Sequence, residues 1–175
     1  MRDLTHLVVM GVSGSGKTTI AAMLAERLDR PFAEADEFHP QANIDKMSAG
    51  EPLNDDDRWP WLAAMRDWLS SQTALGHPAI VTCSALRRKY RDVLRGADGT
   101  VLFVHLAGEP ALVRERVESR RAHFMPPALL KSQYDTLEPL ETDENGIAVG
   151  VAGSPGEIVD SVLVHLGLQV APPER

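Results

Sequence analysis

Eight residues near the start of the chain, Gly11-Val12-Ser13-Gly14-Ser15-Gly16-Lys17-Thr18, match G-x-x-x-x-G-K-[ST] at every fixed position. They follow Leu7-Val8-Val9-Met10, a continuously apolar, partly β-branched run that reads as a strand buried on both faces. After them comes a helical stretch with Ile20, Leu24 and Leu28 on one face, closed by Pro31. In such a strand–loop–helix the glycines let the backbone curl with its amide N–H groups pointing inward. The helix adds the positive end of its dipole. Lys17 is expected to reach the β and γ phosphates of a nucleoside triphosphate, and the Thr18 hydroxyl to ligate Mg²⁺. The predicted nucleotide-binding residues here are Gly11, Ser13, Gly14, Ser15, Gly16, Lys17, Thr18 and Thr19. The motif leaves the phosphoryl acceptor open.

Three further apolar runs read as strands: Ala79–Cys83, Val101–Leu106 and Ile147–Val151. Helical patterns lie between and after them. One carries Trp61, Leu62, Met65, Trp68 and Leu69 and is entered through Asp55-Asp56-Asp57 and Pro60; others carry Leu112, Val113 and Val117, and Ile158 to Leu166. This alternation predicts a parallel α/β sheet covered on both sides, as one domain over residues 1–175. Two stretches, 36–54 and 121–127, show no regular pattern. The net charge of −7 excludes a global basic field for nucleic acid or an anionic membrane. The single cysteine, Cys83, excludes an internal disulfide and suits a reducing compartment. The first apolar run is too short for a secretory signal or a membrane span, so a cytoplasmic location is expected.

A guanine-reading Asn-Lys-x-Asp stretch is missing, and neither Thr82-Cys83-Ser84 nor His105-Leu106-Ala107 ends its strand on the Asp of a motor ATPase. Acidic residues stand instead after Phe32, as Glu34 and Asp36. In a small-molecule kinase, one carboxylate there can support Mg²⁺ while another accepts the proton of the attacking hydroxyl.

Several segments together resemble the bacterial gluconate kinases of the P-loop class: Asp36-Glu37-Phe38-His39-Pro40, Asn43-Ile44-Asp45-Lys46-Met47, and Gly50 through Arg58. Cys83-Ser84-Ala85-Leu86-Arg87 and Arg120 through His123-Phe124 extend the likeness, which runs from Gly11 to about Glu138. The resemblance implies a P-loop NTPase with a three-layer, nucleoside-monophosphate-kinase-like fold, a parallel sheet and a helical lid at about 120–128. It implies transfer of the γ-phosphoryl of ATP to the 6-hydroxyl of D-gluconate with Mg²⁺, and a homodimer. The family more often carries Asp where this chain has Glu34, a longer carboxylate that can still serve Mg²⁺ through water.

Gluconate is a polyhydroxylated carboxylate, so its site needs a cation and several hydrogen-bonding groups. Arg58 and Arg87 are the expected carboxylate partners, because a guanidinium can grip a carboxylate at two points. Asp36, His39, Lys46 and His123 complete the expected substrate set. Arg116 and Arg120 are expected to fold over the phosphates, with Lys17, Asp36 and Arg120 as the catalytic group. Arg88, Lys89 and Arg91 read as a solvated helix face, Cys83 as a buried apolar residue, and Gly153–Pro155 as an adenine-side loop. Two rivals stay open: a kinase for another polyol acid such as shikimate, and an ATP-binding module that hydrolyses without an acceptor. Against shikimate stands Ser84-Ala85-Leu86, where that family typically has three glycines.

Overall fold

The computed structural model describes residues 4–12, 14–119 and 127–167, without the side chains of 117–119 and 127–129. Ser13, Arg120 and His123, with most of the expected lid, lie outside the described residues. The chain runs β1 (Thr5–Met10), α1 (Lys17–Leu28), β2 (Phe32–Glu34), a 3₁₀ turn (Ala35–Phe38), α2 (Gln41–Ser48), α3 (Asp55–Ala74) and β3 (Ile80–Thr82). It continues through α4 (Arg88–Arg95), β4 (Thr100–Ala107), α5 (Pro110–Ser119), α6 (Pro127–Thr136), β5 (Gly146–Gly150) and α7 (Pro155–Leu166). The strands form one parallel sheet in the order β2-β3-β1-β4-β5.

Alternate residues of β1 feed opposite cores, as the two-residue period of a strand requires. Leu7 and Val9 pack with Ile20 and Leu24 of α1 and Val159 and Val162 of α7. Val8 and Met10 pack with Leu62, Met65 and Leu69 of α3 and Leu94 of α4. Each such side chain contributes roughly 1.5–3 kcal/mol by leaving water. The result is the expected helix–sheet–helix sandwich, and because all strands run the same way, their C-terminal ends share one edge. There the chain leaves β1 at Met10, β2 at Glu34 and β3 at Thr82.

The structure departs from the sequence pattern in three places. The stretch 36–54 holds the 3₁₀ turn and α2. Asn43 is the one buried residue of α2, held by side-chain bonds to the Asp57 carbonyl (2.9 Å) and His39 (3.2 Å), so no apolar stripe announces the helix. Pro60 lies inside α3, because a reciprocal cap between Asn54 and Asp57 starts the helix earlier. Arg91 is fully buried and not solvated. Its guanidinium donates to both Glu144 oxygens (2.7 and 3.0 Å) and to the Ala85 carbonyl (2.9 Å). Burial alone would raise the Glu144 pKa, but hydrogen bonds from Arg91, the Glu141 backbone and Arg95 hold it at about 2. A buried guanidinium is tolerable only when paired in this way.

His6 is also buried. Its Nδ1 accepts from the Ala79 N–H at 2.9 Å, so Nε2 carries the proton and donates to Thr73 Oγ1 at 2.6 Å. Burial lowers the pKa of His6 and of His105 below the ordinary 6.5. The folded chain thus resists protonation that the unfolded chain accepts below 6.5. Stability contributed by the neutral rings is complete above that pH and is lost as pH falls toward the folded values. The thermal midpoint is therefore expected to drop between pH 7.5 and 5.5, and His6→Gln to shallow that slope; a flat profile in both would contradict the neutral burial.

Candidate active site

The loop between β1 and α1 is shaped by backbone that glycine allows. Gly11, Gly14 and Gly16 have φ of 148°, 83° and 94°. At Gly11 a β-carbon would lie 2.9 Å from Ser15 Oγ and 3.0 Å from the Leu106 carbonyl oxygen. The Gly11 N–H donates to Ser84 O at 3.3 Å, and Ser15 N–H to Val12 O at 3.2 Å. Lys17 Nζ lies back across the loop and donates to the carbonyls of Gly11 (2.9 Å) and Val12 (3.2 Å). Burial lowers the Lys17 pKa, while the carboxylates of Asp36 and Glu34 act in the opposite direction. Ser15 Oγ is buried without a hydrogen-bond partner among the described residues. An orphaned hydroxyl inside a curl of main-chain amides fits an anion such as phosphate.

Near Lys17 and Thr18 stand the acids predicted from sequence. Glu34 Oε2 accepts from Thr18 Oγ1 at 3.2 Å and from Thr82 Oγ1 at 2.8 Å. Its backbone N–H is bound by Glu37 at 2.6 Å in a reciprocal cap. Thr18 and Glu34, the two expected metal ligands, are thus neighbours. Among the described residues no group of three or more His, Cys, Asp or Glu could hold a metal. A hydroxyl beside one carboxylate nonetheless fits Mg²⁺, which keeps several waters and takes phosphate oxygens for the rest. Asp36 is exposed on the 3₁₀ turn, its charge raising the pKa of Lys17 and His39 against the larger effect of burial.

His39 stacks on Trp61 with ring centroids 4.4 Å apart and 9° between planes. Because the Asn43 amide nitrogen must donate to the Asp57 carbonyl, it also donates to His39 Nδ1. His39 is then neutral, with its proton on Nε2 available to a hydroxyl. The cations differ in their commitments. Lys46 pairs with Asp57 at 2.8 Å. Arg58 reaches Asp55 at 3.4 Å and the Tyr90 hydroxyl at 3.3 Å, and Tyr90 donates to Asp55 at 2.6 Å. Hydrogen bonds from Lys89 and Tyr90 hold the Asp55 carboxyl at about 2. Arg87, at the N-cap of α4, is exposed and pairs with no described residue.

A cavity of about 330 Å³ opens beside Val12, between the ends of β4 and β5 and helices α5 and α6. His105, Leu112, Tyr134 and Val151 line it. At its border Arg116 donates to the Gly153 carbonyl at 3.5 Å, joining two segments picked out separately in the sequence. Thr82, Tyr90 and Trp61, whose Nε1 donates to Ala35 O at 2.7 Å, hold this site together and escaped notice as functional residues. A hydroxyl inside the otherwise apolar Ala79–Cys83 run was the only signal of Thr82.

The family model described as shikimate kinase matches residues 13–166. A gluconokinase of Gluconobacter oxydans is 49% identical over 159 residues, covering 91% of this chain and 89% of its own. A sugar kinase from a Janibacter species superposes with a TM-score of 0.86 at 48% identity, covering 96% of both chains. The gluconokinase of Sinorhizobium meliloti does so at 0.84 and 47%, covering 95% of this chain and 94% of its own.

The approach at Gly11 generates a test of the loop. Gly11→Ala is expected to weaken ATP binding by roughly tenfold or more through backbone strain, read by calorimetric titration. Unchanged affinity would mean that the loop does not need this conformation to hold phosphate.

Proposed function

The chain belongs to the shikimate kinase family and, within it, to the gluconokinases, and from that premise we propose that it moves the γ-phosphoryl of ATP to the 6-hydroxyl of D-gluconate. The observation that carries this reading is the meeting of Lys17 and Thr18 with Glu34 and Asp36 at one sheet edge. In this reading, phosphate-binding groups stand beside a proton acceptor.

In this reading Lys17 releases the Gly11 and Val12 carbonyls and turns its ammonium to the β and γ phosphates. Ser15 and the inward amides hold the phosphate oxygens. Thr18 and Glu34 hold Mg²⁺, which supplies charge neutralisation on the phosphates when bound. Asp36 accepts the proton of the 6-hydroxyl as that oxygen bonds to phosphorus and ADP leaves. His39 Nε2–H and Lys46 bind substrate hydroxyls. Arg87, which pairs with no described residue, takes the carboxylate, with Arg58 beside it after leaving Asp55. Arg116 and the cavity beside Val12 receive the adenosine end, and Arg120 and His123 close over the reacting groups. Transfer in this reading is direct, from the γ-phosphorus to the 6-hydroxyl oxygen; burial pushes the Cys83 thiol up to about 11, so that side chain offers no thiolate to the reaction at neutral pH. The same reading makes the enzyme cytoplasmic, which the lone buried thiol suits. The homodimer is carried over from the family resemblance.

ADP release from Mg-ATP is expected to rise with gluconate and not with shikimate, glucose or buffer alone. Equal rates with all four would leave only an acceptor-independent ATPase, and stimulation by shikimate alone would change the substrate. Asp36→Ala is expected to lower kcat by about 10²–10⁴ while ATP still binds. Full activity in that variant would remove Asp36 as the base.

A further inference from the structure

We propose that Thr82 is a positioning residue for the reaction, its hydroxyl fixing the corner of the chain that carries both carboxylates. Thr82 ends β3 and is 3% exposed. It lies opposite Glu34 in the parallel β2–β3 register. Its Oγ1 donates to Glu34 Oε2 at 2.8 Å and accepts from the Ala35 N–H at 3.3 Å. The direction of both bonds is forced, since an ionised carboxylate only accepts and a main-chain N–H only donates.

Ala35 is the residue between Glu34 and Asp36. Its N–H is held by Thr82, and its carbonyl accepts from Trp61 Nε1 at 2.7 Å. Both polar groups of this one residue are therefore clamped by side chains from β3 and α3. The two acids project from either flank of the clamp. Thr82 adds a second restraint by gripping one of the acids directly.

The bond to Glu34 matters most when the site is filled. In the structure Glu34 Oε2 is shared between the hydroxyls of Thr18 and Thr82. A cation bound through a lone pair of the Thr18 hydroxyl leaves its O–H donating to Oε2, so of the two hydroxyls Thr82 is the one that restrains Oε2 from the sheet side against the pull of the metal. Threonine suits the task because its β-branch restricts χ1 and keeps the hydroxyl aimed. A side chain that orients a metal-holding carboxylate is typically worth about 10- to 100-fold in metal affinity or activity.

This inference rests on the reading that Glu34 serves Mg²⁺, so the test separates the two. Mn²⁺ binding to the enzyme–ADP complex is measured by electron paramagnetic resonance in wild type, Thr82→Val, Thr82→Ser and Glu34→Gln. The Mg²⁺ dependence of kcat and the ligand-free thermal midpoint are measured alongside. Thr82→Val keeps the side-chain shape and removes the hydroxyl. It is expected to weaken Mn²⁺ about tenfold and raise the Mg²⁺ concentration needed for half-maximal kcat, with Thr82→Ser recovering most of the loss. Weakening in Glu34→Gln with wild-type Mn²⁺ affinity in Thr82→Val, whatever its thermal midpoint, would reduce Thr82 to a structural residue and overturn the proposal. Wild-type affinity in Glu34→Gln would remove the metal reading of Glu34, and the proposal with it.

Discussion

At Gly11 the backbone passes so close to the Leu106 carbonyl and to Ser15 that no side chain fits between them. That approach sets the position of the phosphate loop over the sheet edge. The Gly11 N–H ties the loop to Ser84 beyond β3, and its carbonyl receives Lys17. Lys17 begins α1, so the same contact aligns the helix end with the loop. The apolar layers above and below β1 then hold the edge rigid, with Leu7 and Val9 committed to one core and Val8 and Met10 to the other. Preorganisation of this kind matters for phosphoryl transfer, in which positioning and charge carry most of the catalysis.

Beside that fixed loop, several cations are already engaged with acids. Lys46 leans on Asp57 and Arg58 on Asp55, and Arg91 and Glu144 neutralise each other beneath α4. The buried pair braces the turn after β3 through the Ala85 carbonyl. Ala85 itself has φ of 46°, a left-handed conformation that glycine adopts more readily. The turn therefore keeps a glycine-like shape while presenting Ser84-Ala85-Leu86, the segment that argues for gluconate over shikimate.

The phosphate loop, four of the five described strands and the placement of Glu34 and Asp36 were legible because they depend on local pattern: glycine spacing, apolar runs, and acids just past Phe32. Strand β2 has only three residues and was too short to read as a strand. Helix α2 was hidden because polar bonds from Asn43 anchor it where an apolar face usually would. Arg91 looked solvated because Glu144, the partner that permits its burial, arrives from a distant part of the chain. Thr82 looked like an ordinary strand residue for the same reason: its bonds to Glu34 and Ala35 exist only once β2 lies beside β3. Sequence pattern reports what a residue does to its own element, and the missed residues all act on another.

The proposed mechanism is a single, direct transfer between the loop and the Glu34–Asp36 corner. It is tested most directly by the stereochemical course at phosphorus, using ATP made chiral at the γ-position with sulfur and oxygen isotopes and gluconate as acceptor. In-line attack by the 6-hydroxyl predicts inversion of configuration in the phosphorylated product. Net retention would require a phosphorylated side chain between two transfers and would contradict the account.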